Sequence, residues 1–204
     1  SRNGRTIAVG TLSGQVYVLH RIDCRVLYQN ELSDSIILAV SFNEQGNQLF
    51  VSTIDGSIIA IDLKSGKILW NRIGNGSDIV AIKYVDTRNA ILTATASNRL
   101  QLISDKNGKV IDSSDATGGV LRDVAMFHDE SRFVTALSDG TVGVWDTATF
   151  SLVASLPSKQ SLECISVSRD GHRLAIAGGT ATIQLMDGMS RGARLKNSTN
   201  KQRD

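Results

Sequence analysis

Short turns recur along this chain at a fixed interval. Ser13-Gly14-Gln15-Val16, Asp55-Gly56-Ser57-Ile58, Ser97-Asn98-Arg99-Leu100 and Asp139-Gly140-Thr141-Val142 are anchored at 14, 56, 98 and 140, a spacing of 42 each time. A fifth, Thr180-Ala181-Thr182-Ile183, is anchored at 181, after 41. Such a period marks a repeat architecture, in which each unit buries its apolar faces against its neighbours.

The second copy shows what one unit contains. Leu38 to Phe42 alternates as a strand, Asn43 to Asn47 turns, Gln48 to Thr53 is a second strand, and Asp55-Gly56 turns the chain back. Ser57 to Asp62 is a third strand, Lys64-Ser65-Gly66 turns again, and Lys67 to Trp70 is a fourth. Asp-Gly and Ser-Gly suit hairpins because glycine takes positive φ without steric cost. No copy carries a 3.6-residue apolar period, and the strands beside the Asp-Gly turn are apolar on both faces. Four antiparallel strands every 42 residues, covered on both sides, describe a propeller blade. The expected fold is all-β, a propeller segment of about five four-stranded blades, with β-structure alone over residues 6–187.

The fourth copy, Arg132 to Asp146, ends in Val144-Trp145-Asp146 and resembles a WD40 repeat. The same column holds Leu19-His20, Ile61-Asp62, Ile103-Ser104 and Met186-Asp187, so one repeat keeps the full Trp-Asp pair. Arg2-Asn3-Gly4-Arg5 and Arg169-Asp170-Gly171-His172 look like that family's first hairpin turn. The resemblance covers roughly residues 1–190, and it implies a scaffold for protein partners. The histidine that family places before a blade's first strand is absent, since His20, His128 and His172 lie in other columns. Asp55 and Asp139 keep the family's Asp column, whereas Ser13, Ser97 and Thr180 replace it. The second copy also resembles a quinoprotein-type repeat through Gly66-Lys67-Ile68-Leu69-Trp70.

The copies are unequal. The first begins in the turn before its second strand. The fifth has three strands ending near Asp187, and Gly188 to Leu195, where a fourth belongs, reads poorly as a strand. Residues 1–190 are therefore expected to be the C-terminal part of a larger ring, by resemblance seven-bladed, with the missing strands supplied by upstream sequence or a partner chain. A self-contained five-bladed ring is the alternative. Residues 191–204 read as a basic disordered tail outside the blades, with five basic residues against Asp204. Residues 1–190 carry 17 basic and 19 acidic residues, so the body has no compositional support for a nucleic-acid face. No apolar run approaches the roughly 20 residues of a membrane span. The two cysteines make no disulfide framework and no zinc motif. A cytoplasmic location is expected, with the nucleus left open.

Catalytic chemistry has little to stand on in this sequence. His128 and His172 lie in first-hairpin turns and His20 at a strand end. Neither Cys24 nor Cys164 has a neighbouring histidine, and Cys164 reads as a small core residue. Asp112 to Gly119 lacks the ligand pattern of a calcium loop, and Gly118-Gly119 lacks a following Lys-Ser/Thr. Asn75-Gly76-Ser77 and Asn197-Ser198-Thr199 match glycosylation sequons without a secretory signal to support them. The expectation is a non-enzymatic scaffold without catalytic, cofactor or metal residues. The alternative is a quinoprotein-like enzyme or envelope-associated assembly protein.

Function then falls to the loop face. Leu38, Val80, Arg122 and Glu163 share a column at the head of each first strand, and two of the four are charged where the others are aliphatic. Asp78, Arg99, Arg122, Lys159 and Glu163 are the expected partner-binding residues. Arg122 and Glu163 are equally suited to pairing with each other, or Arg122 with Asp123, between adjacent blades.

Overall fold

The computed structural model describes residues 1–32, 34–74, 76–179 and 182–187, and the backbone of 196–198. Its regular structure is strand, apart from one turn of 3-10 helix at Asp86–Arg88. The strands form five antiparallel sheets, in agreement with an incomplete β-propeller.

The first sheet contains β1 (Thr6–Gly10), β2 (Gln15–His20) and β3 (Val26–Glu31). The second runs β4 (Ile37–Phe42), β5 (Gln48–Thr53), β6 (Ile58–Asp62) and β7 (Lys67–Arg72). The third holds β8 (Ile79–Val85), β9 (Ala90–Thr95), β10 (Arg99–Ser104) and β11 (Val110–Asp115). β12 (Leu121–Met126), β13 (Arg132–Leu137), β14 (Thr141–Asp146) and β15 (Ser151–Pro157) make the fourth. The fifth has β16 (Leu162–Val167), β17 (Arg173–Gly178), β18 (Ile183–Asp187) and β19 (Lys196–Ser198). In every sheet spatial order follows chain order. Sheets one to three lie in one compact unit, Ser1–Asp115, and sheets four and five in a second, Ala116–Asp204.

The 42-residue anchors are left-handed residues. Gly14, Gly56, Asn98 and Gly140 have φ of 77°, 80°, 67° and 91°. A second left-handed set, Cys24, Gly66, Gly108 and Phe150, turns the chain into each outermost strand, again 42 apart. The backbone therefore repeats even where the residue type does not.

Side-chain alternation then sorts the core. In the second sheet, Leu49, Val51, Ile59 and Ile61 pack against Val16 and Val18 of the first. Their neighbours Phe50, Ile58 and Ala60 face the other way, against Ile79, Ile82, Ile91 and Ile103 of the third. In the second unit Val134, Ala136, Val142 and Val144 pack against Leu162, Ile165, Leu174 and Ile176. Both faces of a middle sheet are thus dry, which is why its strands read as continuous apolar runs. Ile7 and Val9 of β1, the equivalents of buried Leu49 and Val51, are 44% and 40% exposed.

Two expectations need correction. The fifth sheet has a fourth strand: Lys196, Asn197 and Ser198 pair with Asp187, Met186 and Leu185. This β19 lies past the expected 188–195 and within the segment expected to stay outside the blades. The open edge of β18 pairs through backbone groups and needs no apolar pattern from its partner. Cys164 is exposed rather than in the core. Its counterparts Ala39 and Asp123 contact the following sheet, and among the described residues β16 has no following sheet. The fifth anchor, Thr180-Ala181, the sequon residue Asn75, and residues 188–195 and 199–204 lie outside the described residues.

Candidate partner-binding surface

The innermost strands share one irregularity. β4 pairs Ile37 with Thr53 and Ala39 with Ser52, leaving Leu38 without a cross-strand partner. Val80, Arg122 and Glu163 are bypassed in the same way in β8, β12 and β16. The residues singled out by their shared column are therefore β-bulge residues, and a bulge re-aims the side chain it carries. The bulge row is aliphatic in the first unit and charged in the second.

Backbone hydrogen bonds hold each inner strand's entry loop against the 42-residue turn of its own sheet. The amides of Ile54, Ala96, Ser138 and Gly179 donate to the carbonyls of Ile36, Asp78, Val120 and Ser161. Asp78 is exposed on this loop, at 3.0 Å from the Ala96 amide through its carbonyl. At the same end of the third sheet, Arg99 is exposed and places Nε 3.2 Å from Asp115 Oδ1 on the neighbouring strand. Arg99 also lines a groove of about 170 Å³ with Arg72, Ile73 and Ser77. In the second unit Arg122 Nε and Glu163 Oε2 lie 3.6 Å apart, joining β12 to β16. Lys159 is exposed in the loop ahead of β16. Asp123, beside Arg122, accepts the Ile165 amide across the sheets at 3.0 Å.

The aspartates of the turns are capping groups. The Thr53 hydroxyl, followed by the Ser57 amide and hydroxyl, holds the Asp55 carboxyl below its ordinary pKa against an opposing effect of burial. Burial raises Asp139, but the amides of Thr141 and Gly119 outweigh it and the net shift is downward. The Gly119 amide, 2.8 Å from Asp139 Oδ2, supplies a donor on the segment that leads into the blade's first strand.

A cleft of about 340 Å³ in the second unit, at the opposite sheet ends, is lined by His128, Arg132, Arg169 and His172. Sequence reasoning treated His128, Arg169 and His172 as turn residues, because the two turns are 41 residues apart and only face-to-face packing of β-sheets brings them together.

The first unit has a different blade-to-blade device. The Trp70 indole lies over Gly108 of the next sheet and donates to the Asp105 carbonyl at 2.6 Å. A Cβ on Gly108 would sit 2.8 Å from Trp70 Cε3. One repeat earlier, Tyr28 takes the Trp70 column and contacts Gly66, the Gly108 column, at 3.6 Å from where a Cβ would stand. The sequence pattern found Trp70 but missed Tyr28, because the docking position tolerates another aromatic ring.

Residues 1–126, which contain this aromatic docking, match the PQQ_2 family model, described as outer membrane protein assembly factor BamB. The chain belongs to the PQQ_2 family. Within this PQQ_2 chain, residues 108–146 also match the WD domain, G-beta repeat. That segment ends in the buried Trp145, whose indole donates to Thr135 Oγ1 at 3.2 Å and stacks on Phe133 at 5.8 Å. Gly143 stands between them because a Cβ there would lie 2.5 Å from Thr135 Oγ1. No curated protein matches the chain.

A quinone-type cofactor needs an open indole face and a metal-holding carboxylate group. Both indoles are committed to blade packing. No group of three or more His, Cys, Asp or Glu side chains placed to hold a metal occurs among the described residues. The residues do not fit such a cofactor.

Proposed function

We propose that this PQQ_2 chain is a non-enzymatic propeller module that binds a protein partner on its loop face. The observation that carries the proposal is the bulge row, which presents one re-aimed side chain in each of the second to fifth sheets: Leu38, Val80, Arg122 and Glu163. Asp78 and Arg99 are the proposed polar contacts of the first unit, and Lys159 joins Arg122 and Glu163 as those of the second. Rigid sheets that present variable loop residues are suited to recognition. The exposed Ile7 and Val9 support a further strand or blade against the first sheet, from upstream sequence or a partner chain.

A second reading, an assembly module of the cell envelope, is favoured by the match over residues 1–126 and by the Tyr28 and Trp70 docking. The two readings place the protein in different compartments, the cytoplasm for the first. Fractionation of cells expressing the full-length protein separates them.

The binding site itself is tested by Arg122→Ala. An exposed ion pair contributes little to stability, so the melting temperature should hold. Binding to a partner captured with the full-length protein should weaken by at least about tenfold. Lower stability with binding intact would make Arg122 a strut between β12 and β16 and remove it from the site.

A further inference from the structure

The outermost strands repeat a second bulge. β3 pairs Val26 with Leu19 and Tyr28 with Val18, bypassing Leu27. Leu69 of β7, Ile111 of β11 and Val153 of β15 are bypassed identically. These four residues are 42 apart, all apolar, and 45–50% exposed. The residue before each, Val26, Ile68, Val110 and Leu152, is apolar and exposed as well. Isolated exposed leucines are ordinary, but an exposed apolar doublet at one structural position of four successive sheets is a pattern.

Charge distinguishes the two units. In the first, each doublet follows an exposed cation, Arg25, Lys67 or Lys109. Among the described residues none of the three lies within ion-pair distance of a carboxylate. In the second unit Ser151 occupies this column.

We propose that the outer strands of the first unit form a second binding surface, distinct from the loop face, for an acidic polypeptide segment with interspersed apolar residues. The bulges interrupt the flat edge that strand addition requires, so side chains rather than backbone groups make the contact. Packed sheets stand about 10 Å apart, so a chain crossing the three doublets spans at least about 20 Å, or six or more extended residues. Its apolar side chains recur at about every third residue or wider, with carboxylates between them against Arg25, Lys67 and Lys109. Such a chain follows three separated doublets, and this favours a polypeptide over a lipid surface.

The test uses the full chain and a labelled peptide of about twelve residues, with Leu at every third position and Glu or Asp between, read by fluorescence anisotropy. Leu69→Ser combined with Ile111→Ser should weaken binding by at least about tenfold, with the melting temperature unchanged. Lys67→Glu combined with Lys109→Glu should weaken it similarly and invert the preference toward a peptide carrying Lys for Glu. Leu152→Ser with Val153→Ser, at the doublet that lacks a cation, should leave binding intact. The proposal is overturned if no peptide binds, if both first-unit pairs bind as the parent does, or if the protein floats with phosphatidylserine vesicles while ignoring the peptide. Arg122→Ala does not touch this surface, so the two binding proposals fail separately.

Discussion

Replacing Gly108 by Ala should cost about 3 kcal/mol, and about half of that should disappear once Trp70 is also Ala. Gly108 has φ of 68°, where an L residue is disfavoured by about 1–2 kcal/mol. The new methyl would lie 2.8 Å from Trp70 Cε3 and 3.1 Å from Cζ3, so the ring must lift from its seat. Lifting it breaks the 2.6 Å hydrogen bond to the Asp105 carbonyl, worth about 1 kcal/mol, and thins the packing of a half-buried ring. With Trp70→Ala already present, only the backbone term of about 1.5 kcal/mol remains. The double-mutant cycle should therefore return a coupling of about 1.5 kcal/mol between two residues 38 positions apart. Urea unfolding followed by far-ultraviolet circular dichroism suits the measurement, since one variant removes an indole fluorophore. Costs that add to within about 0.5 kcal/mol would show that Trp70 is not seated on Gly108, and the account of how these sheets are joined would fail.

Phe150 gives a test with inverted order. It is buried, contacts Phe133 at 5.7 Å between ring centres, and has φ of 52°. Phe150→Ala should cost about 3 kcal/mol, and Phe150→Gly about 1 kcal/mol less than that, measured by denaturant titration. Trp145→Phe should cost about 1–2 kcal/mol by removing the donor to the buried Thr135 hydroxyl, with Thr135→Val in the same background recovering part of it. The turn carboxylates predict acid sensitivity. Asp55 and Asp139 have depressed folded-state values, so their stabilisation is complete above the unfolded value of about 3.9 and is lost as pH falls through the folded value. Asp55→Asn with Asp139→Asn should flatten stability between about pH 2 and pH 5 and leave the dependence above it unchanged.

The sequence alone determined the repeat. A turn that demands positive φ leaves a local mark, so Gly14, Gly56 and Gly140 announced the period, and β-alternation on both faces announced sheets covered on both sides. The Asp-Gly turns and the strand order within each sheet were legible for the same reason: each depends on residues close together in the chain, whereas the seat of Trp70 on Gly108 joins two sheets. Tertiary structure decided what depends on register and packing. A bulge is a mismatch between two strands, which one strand's sequence does not encode, so Leu38, Val80, Arg122 and Glu163 shared a column before they shared a conformation. The pairing of Arg122 with Glu163, equally open to Asp123 by sequence, was settled by distance between neighbouring sheets. Cys164 looked like core because apolar burial was assigned from its strand alone, whereas burial there depends on the next sheet. β19 formed where no apolar pattern marked it, because an open strand edge recruits backbone, and every residue but proline offers the backbone N–H and C=O that such an edge needs.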